Sequence, residues 1–218
     1  MAATLPILFS FRRCPYAMRA RLALAVSGQK VTLREVELKN RPTEIYAVSP
    51  KGTVPVLVLD DGTILEESLE IMHWTLGNRD PLLWLGTSHA QKKSIDLLIQ
   101  RCDGNFKHNL DRYKYANRYE GVDAEEHRAN ASDFLFYLQE LLLQHKFLLS
   151  DQACLADMAL APFVRQFAFA DRPWFDAQPW PQLRAWLDAF CASPLFASVM
   201  SKYQPWTTDA EAFEVDWS

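Results

Sequence analysis

Apolar and polar positions in the first part of the chain alternate between the short runs typical of buried strands and the wider spacing typical of helices. Residues 5–11 form an apolar run that predicts a strand. Residues 15–27 are rich in Ala and Leu and predict a helix, with Gly28 placed to end it. Residues 31–38 partly alternate and predict a second strand, and residues 41–48 predict a short irregular or helical piece. This order favours a parallel pair of strands joined by a right-handed crossover.

A hairpin and a further helix follow this unit. The apolar runs 55–59 and 63–65 flank an Asp-Asp-Gly turn at residues 60–62, a combination that predicts a two-stranded hairpin. Apolar positions then recur at helical spacing over residues 69–76. The pattern therefore predicts an α+β domain over residues 1–77, with a mixed four-stranded sheet and helices packed on it.

The remainder of the chain has a helical pattern. Residues 78–86 contain several helix breakers and predict a linker. From there, residues 87–218 predict an all-helical domain, because no strand signal competes with the helical spacing. Residues 88–119 predict one long amphipathic helix, and Asp123 can cap the next one.

A nearly continuous apolar segment, residues 155–169, predicts the buried central helix of this second domain. Pro162 lies within it and is expected to kink it. The C-terminal tail carries three large aromatic residues, which are expected to cover either the cleft between the domains or the helical core: Trp206, Phe213 and Trp217.

Composition and charge exclude several classes of function. The net charge of -4 gives no support for nucleic-acid or membrane-surface binding. No apolar run approaches the roughly 20 residues of a membrane-spanning helix, and the N-terminus lacks the basic region of a secretory signal. The cysteines are far apart, which predicts neither a disulfide framework nor a metal site and favours the reducing cytoplasm. They are Cys14, Cys102, Cys154 and Cys191.

Cys14 is the candidate nucleophile. It lies at the predicted turn from strand to helix, and Pro15 follows at the first helical position. The N-terminus of a helix has unpaired N–H groups and about half a positive charge, which stabilise a thiolate. Arg12, Arg13 and Arg19 are close in sequence and can add to this effect. Such surroundings lower the pKa of a cysteine from about 8.5 to roughly 3.5–7.5. The alternative is that Cys14 is only a small N-cap residue.

Five motifs together carry a resemblance to a known family. In this order they resemble the cytosolic glutathione transferases, and the cysteine-type, omega-like members in particular. The resemblance covers nearly the whole chain and implies a thioredoxin-like, glutathione-binding domain followed by an all-α helical bundle. The motifs are Cys-Pro-Tyr-Ala at 14–17, Leu-Lys-Asn-Arg-Pro at 38–42, Gly-Thr-Val-Pro-Val-Leu at 52–57, Leu-Glu-Glu-Ser at 65–68 and Ala-Asp at 156–157.

The resemblance assigns roles to residues of the first domain. Cys14 would be the catalytic residue. Pro55 would be cis, and Val54 would offer its backbone N–H and C=O to the cysteinyl unit of glutathione, like an added strand. Glu67 and Ser68 would hold the γ-glutamyl end, with the carboxylate at a helix start. The alternatives are that Pro55 simply opens a strand and that Glu67 and Ser68 simply cap a helix.

Two further residues complete the implied glutathione site. Arg41, which stands where the omega-like pattern has lysine, would reach the glycyl carboxylate. Lys39 is the alternative for this role, and both could instead be solvated surface charges. Tyr16 aligns with a phenylalanine position and is interpreted as packing over the site.

The sequence departs from the family pattern at two positions. Ala17 replaces the second cysteine of a dithiol site, so no disulfide can form within the first helix. Cys154 stands where a Ser or Thr usually caps the central helix, three residues before a structural Asp157. Because sulfur is a weaker cap, the domain is expected to lose about 1 kcal/mol of stability.

The resemblance implies a glutathione-dependent enzyme with no metal. Glutathione would be the co-substrate, and a small disulfide or electrophile bound between the domains would be the second substrate. The reactions would be thiol transfer and reduction, including deglutathionylation and dehydroascorbate-type reduction, with weak conjugation of electrophiles. A homodimer is compatible with the family. The alternatives are a non-catalytic glutathione- or protein-binding regulatory protein on the same scaffold and, with less support, a membrane-inserting relative.

Overall fold

The sheet combines strands from both ends of the chain. In this computed structural model, residues 4–209 and 213–217 are described. The strands within these residues are β1 (Ile7–Ser10), β2 (Val31–Glu35), β3 (Val56–Val58), β4 (Ile64–Leu65) and β5 (Phe213–Val215). Their order is β4-β3-β1-β2-β5. β1 and β2 are parallel and the other neighbouring pairs are antiparallel. The predicted mixed sheet is confirmed, with a fifth strand added at its β2 edge.

Helices occupy most of the remaining chain. They are α1 (Pro15–Ser27), α2 (Thr43–Val48), α3 (Ser68–Asn78), α4 (His89–Arg101), α5 (Lys107–Lys114), α6 (Ala124–Leu142), α7 (Leu155–Ala168), α8 (Arg172–Asp176), α9 (Pro181–Ala192) and α10 (Pro194–Val199). In the described part of the chain, none of these helices combines the length and the apolar character needed to cross a bilayer. The predicted fold class, a mixed α/β sheet domain followed by a helical domain, is confirmed.

The C-terminal segment belongs to the first of two compact units. The first unit comprises Met1–Pro81 together with Ser193–Ser218, and the second comprises Leu82–Ala192. This division differs from the predicted domains 1–77 and 87–218, which placed the C-terminal segment with the helices. The physical reason is that α10 packs on α1, and β5 pairs with β2 from Val31↔Val215 to Leu33↔Phe213.

The three aromatic residues of the tail have contacts within this first unit. Trp206 joins a buried apolar cluster that also contains Phe9 of β1. Phe213 begins β5. The Trp217 ring lies 5.4 Å from the Arg21 guanidinium. These contacts explain why the chain returns to the sheet after α10.

The second unit contains one interruption that the sequence pattern does not show. Residues 88–119 were expected to form a single helix, but α4 passes into a π-helical turn, Cys102–Phe106, before α5 begins. Gly104 has non-helical angles there (φ -87°, ψ -108°), which kinks the helix. After α5, the Asp123 carboxylate caps α6 as predicted, because it accepts the N–H groups of Glu125 and Glu126.

A buried ion pair connects α1 to the sheet. The Arg21 guanidinium is fully buried on α1 and contacts the Glu35 carboxylate at the end of β2. It also donates to Ser10 Oγ at 2.8 Å and to the Val199 carbonyl oxygen at 3.1 Å. Burial lowers the pKa of Arg21, and the negative charge of Glu35 opposes that shift. The pair therefore lets a charged side chain occupy the apolar interior.

Glu35→Gln is expected to lower the free energy of unfolding by about 3 kcal/mol, because it leaves the Arg21 guanidinium buried without a counter-charge. Urea denaturation measures the change. Lys51→Met is the matched control: it removes one partner of the Lys51–Glu67 pair, whose side chains are 59% and 65% exposed. That substitution should cost far less, because an exposed ion pair contributes little to stability. Equal effects of the two substitutions would contradict the assigned role of the buried pair.

Candidate active site

The turn between β1 and α1 places Cys14 at the N-terminus of a helix. Cys14 is the N-cap of α1, with extended backbone angles, and Pro15 follows in the first turn. Its N–H donates to the Phe11 carbonyl oxygen at 2.9 Å, and its own carbonyl oxygen accepts the Met18 N–H at 2.9 Å. The first N–H groups of a helix have no acceptor within it, so the half-buried sulfur lies at the positive end of α1.

The arginines close to Cys14 in sequence have other partners. Arg12 donates its backbone N–H to Glu35 at 2.7 Å and a guanidinium N–H to the Met200 carbonyl oxygen at 3.3 Å. The guanidinium of Arg13 lies 5.7 Å from the Phe11 ring, and that of the fully buried Arg19 lies 5.6 Å from the Tyr16 ring. The helix N-terminus supplies positive potential at the sulfur.

The loop before β3 lies beside Cys14. The Val54–Pro55 peptide bond is cis, as the resemblance implied. The Cys14 thiol donates to the Val54 carbonyl oxygen at an Sγ–O distance of 3.6 Å. Val54 is 8% exposed and belongs to the same apolar cluster against which Cys14 packs. The backbone of Val54 and the sulfur of Cys14 are thus brought together, as a shared glutathione site requires.

The start of α3 contains the predicted Glu-Ser pair. Glu67 is the N-cap and forms a capping box with Glu70, whose carboxylate accepts the Glu67 N–H at 3.4 Å. Ser68 is the first helical residue and is 4% exposed. The Glu67 carboxylate also accepts a hydrogen bond from Lys51 at 3.0 Å, and this contact raises the pKa of Lys51. The sequence analysis did not identify Lys51.

The other residues predicted to contact glutathione, Arg41, Lys39 and Tyr16, are less buried than Val54 and Ser68. Arg41 and Lys39 are both exposed on either side of the Asn40 turn that precedes α2. Tyr16 is half-buried in the first turn of α1. Their assignments to the glycyl carboxylate and to packing over the site stay predictions.

The remaining cysteines lie in different surroundings. Burial and the neighbouring Asp157 raise the pKa of Cys154 to about 12, and burial raises that of Cys191. Cys102 is fully buried. Cys14 and Cys154 both lie at helix N-termini, but Cys154 is buried beside Asp157, whereas Cys14 is half-buried and therefore the more accessible of the two. Within residues 4–209 and 213–217, the structure contains no group of three or more His, Cys, Asp or Glu side chains that could hold a metal ion.

The sequence did not predict that two residues, Glu35 and Trp206, lie beside the Cys14 turn. Glu35 shares its carboxylate between Arg21 and the backbone N–H of Arg12. Side chains alternate between the two faces of a strand, so Glu35 lies on the same buried face of β2 as Val31 and Leu33. This alternation could have predicted that Glu35 points inward. Trp206 carries no such signal, because its burial depends on the return of the C-terminal segment to the sheet.

These features define a two-unit protein in which a helix-capping cysteine faces a cis-proline loop on a mixed α/β sheet. Two family models match the chain: "Glutathione S-transferase, N-terminal domain" over residues 8–82 and "Glutathione S-transferase, C-terminal domain" over residues 121–189. Together they match more than half of the chain. The protein belongs to the glutathione S-transferase family.

Similar curated proteins fall into more than one class of this family. A maleylacetoacetate isomerase of Pseudomonas aeruginosa is 27% identical over 93% of this chain and 99% of its own length. A probable maleylacetoacetate isomerase of Caenorhabditis elegans is 26% identical over 92% and 95%, respectively. Glutathione S-transferase omega-1 of Sus scrofa is 37% identical, but over only 28% of this chain and 25% of its own. The full-length similarities therefore do not confirm the omega-like class.

Solved structures share the fold over nearly the whole chain. A glutathione S-transferase from Rhodospirillum rubrum F11 is 25% identical, with a TM-score of 0.75 over 92% of this chain and 94% of its own. A glutathione transferase family member from Pseudomonas fluorescens Pf-5, solved with two glutathione molecules bound, is 18% identical, with a TM-score of 0.79 over 92% and 94%.

Proposed function

We propose that this protein is a glutathione-dependent enzyme that uses Cys14 as a nucleophile in thiol transfer. One observation carries the proposal: the Cys14 sulfur lies at the N-terminus of α1 and 3.6 Å from the carbonyl oxygen of Val54, next to the cis-proline. A thiolate stabilised by a helix N-terminus is a reactive nucleophile. The backbone beside it is suited to an extended peptide such as glutathione.

Glutathione would be held by residues of the first unit. Val54 would bind the cysteinyl unit through its backbone, and Ser68 would bind the γ-glutamyl carboxylate at the start of α3. Glu67 would take the ammonium group, in competition with its present partner Lys51. Arg41, or Lys39 in its place, would pair with the glycyl carboxylate. The proposal is supported by the burial of Val54 and Ser68 in the same unit as Cys14.

The reaction proceeds through two exchanges of a disulfide bond. The Cys14 thiolate attacks the glutathionyl sulfur of a mixed disulfide, so that a Cys14–glutathione disulfide forms and the other thiolate leaves. The thiolate of a second glutathione then attacks the glutathionyl sulfur of this intermediate. Oxidised glutathione leaves, and Cys14 returns as the thiolate. Glutathione supplies both electrons. Because residue 17 is alanine, the first turn of α1 has no second cysteine that could resolve the intermediate.

A second candidate function is glutathione-dependent isomerisation. It is favoured by the two relatives named as maleylacetoacetate isomerases, which match more than nine tenths of the chain. A non-catalytic regulatory protein that binds glutathione or another protein is the remaining alternative. A homodimer, a cytoplasmic location and weak conjugation of electrophiles stay predictions.

Mass spectrometry after incubation with oxidised glutathione tests the proposed nucleophile. We expect one glutathionyl adduct, located on Cys14 and released by reduced glutathione, because the other cysteines are buried or have a raised pKa. Cys14→Ser should abolish the adduct, and the matched Cys191→Ser variant should retain it. An adduct on another cysteine, or no adduct on Cys14, would contradict the assignment.

A further inference from the structure

Trp206 is inserted into the first unit beside the candidate site. It is 7% exposed, and its backbone N–H donates to the Glu35 carbonyl oxygen at 2.8 Å. Its ring meets the Phe9 ring edge-on at a centroid distance of 6.3 Å, and the Arg34 guanidinium lies 4.2 Å from its centroid. The side chain is therefore fixed from several directions by β1 and β2.

The cluster that contains Trp206 also contains residues of the candidate site. Its buried members include Ile45 of α2 and Val54 of the cis-proline loop. Cys14 and Val48, the last residue of α2, pack against the same cluster. Trp206 therefore shares one packed group with the nucleophile, with the proposed peptide-binding backbone and with α2.

The chain just beyond Trp206 contacts α2 directly. The Thr208 hydroxyl donates to the Glu44 carboxylate in the first turn of α2, and this bond lowers the pKa of Glu44. α2 has six residues, and Ile45 is its buried one. Because such a short helix is unstable by itself, its position depends on tertiary contacts. Arg41, the proposed partner of the glycyl carboxylate, lies two residues before α2.

We infer that residues 206–208 form a positioning element for the glutathione site, in which Trp206 and Thr208 hold α2 and the Val54 loop in the arrangement that binds the tripeptide. This inference rests on the proposed function. The element needs no contact with glutathione, because it acts by preorganising the groups that make the contacts. Losing it should weaken glutathione binding more than it slows the chemistry at Cys14.

Steady-state kinetics of thiol transfer separate these two effects. Trp206→Ala is expected to raise the KM for glutathione about tenfold and to leave kcat at saturating glutathione within about twofold of wild type, which corresponds to about 1.4 kcal/mol of lost binding. Trp206→Phe should recover most of the affinity. Trp217→Ala is the matched control. Trp217 contacts Arg21, and its indole N–H donates to the Tyr203 hydroxyl at 3.2 Å, so it lies outside both the cluster and residues 206–208. Its KM should stay within about twofold of wild type.

Thr208→Val keeps the test informative if Trp206→Ala does not fold, because it removes one hydrogen bond and leaves the cluster intact. It should raise KM about two- to threefold with no change in kcat. The inference is overturned if neither a folded Trp206→Ala variant nor Thr208→Val raises KM, or if Trp217→Ala raises KM as much as Trp206→Ala. If wild-type protein shows no saturable dependence on glutathione, the proposed function itself fails.

Discussion

Replacing Cys14 by alanine is expected to lower thiol transfer to a small disulfide by at least about 100-fold, the largest catalytic effect expected of any single side chain here. The substitution removes the atom that forms the mixed disulfide, and no neighbouring group can replace a covalent nucleophile. Only the uncatalysed reaction with bound or free glutathione would remain. The measurement is the initial rate with hydroxyethyl disulfide and glutathione, compared at equal protein concentration.

Two further variants, Cys191→Ala and Cys14→Ser, are the controls for this experiment. Cys191 lies in α9 of the second unit and has a raised pKa, so its replacement should leave the rate within about twofold. Cys14→Ser keeps a polar group at the N-cap and should match alanine in thiol transfer, since a hydroxyl cannot form the mixed disulfide. The thermal unfolding midpoint of each variant shows whether the fold is retained. Near-wild-type thiol transfer in Cys14→Ala would disprove the nucleophile assignment.

The same variants discriminate between the two candidate activities. Isomerisation of maleylacetoacetate can be assayed with wild-type protein and glutathione. The isomerisation rate of the wild type is compared with its thiol-transfer rate. If isomerisation is faster, and Cys14→Ser retains it, glutathione itself is the reactive thiol and Cys14 only donates a hydrogen bond to it. If Cys14→Ser abolishes thiol transfer and wild-type protein isomerises nothing, the thiol-transfer proposal stands.

Local signals made α1, the hairpin and the position of Cys14 at a helix start predictable. Pro15 and Gly28 define both ends of α1, and Gly28 adopts the left-handed conformation (φ 66°) that the helix end requires. The Asp-Asp-Gly turn defines the hairpin, where Gly62 has φ of 86°. Pro15 also placed Cys14 at the helix start, whereas the cis Val54–Pro55 bond was expected from the family resemblance.

Features that depend on distant contacts were not predictable. β5 contains three residues, Phe-Glu-Val, and exists because its backbone pairs with the edge of β2. A segment this short gives no periodicity of its own. The burial of Arg21 likewise requires α10 on one side and Glu35 on the other. The kink at Gly104 is a third case, because one glycine inside an amphipathic pattern is usually tolerated without a break.

Asp157 is expected to be the most important single side chain for the stability of the second unit. It is fully buried in the first turn of α7, and its two oxygens accept hydrogen bonds from different parts of the unit. Oδ1 accepts from the Leu148 N–H and the Trp186 indole N–H, each at 3.0 Å. Oδ2 accepts from the Cys154 N–H at 2.9 Å and from its thiol at 3.4 Å.

Asp157→Ala should therefore lower the free energy of unfolding by about 4 kcal/mol or more, because several buried donors lose their acceptor together. Asp157→Asn should cost about half as much. Its amide oxygen can replace Oδ1, whereas its NH₂ group would face the Cys154 N–H, so that two donors meet. Asp123→Ala removes an exposed cap of α6 and should cost only about 1 kcal/mol. Urea denaturation of the three variants measures this order, and equal losses for Asp157→Ala and Asp123→Ala would contradict it.

The pH dependence of the Asp157→Asn effect tests how burial acts on the carboxyl. Burial raises the pKa of Asp157, although its N–H donors favour the carboxylate. Because the pKa of Asp157 is higher in the folded state than in the unfolded state, the folded state binds the proton more tightly. Its contribution to stability is fully present below the unfolded pKa of about 3.9 and declines as pH rises through the folded pKa. The difference in unfolding free energy between wild type and Asp157→Asn should therefore shrink as pH rises from about 4. A difference that grew with pH would show that the hydrogen bonds outweigh burial.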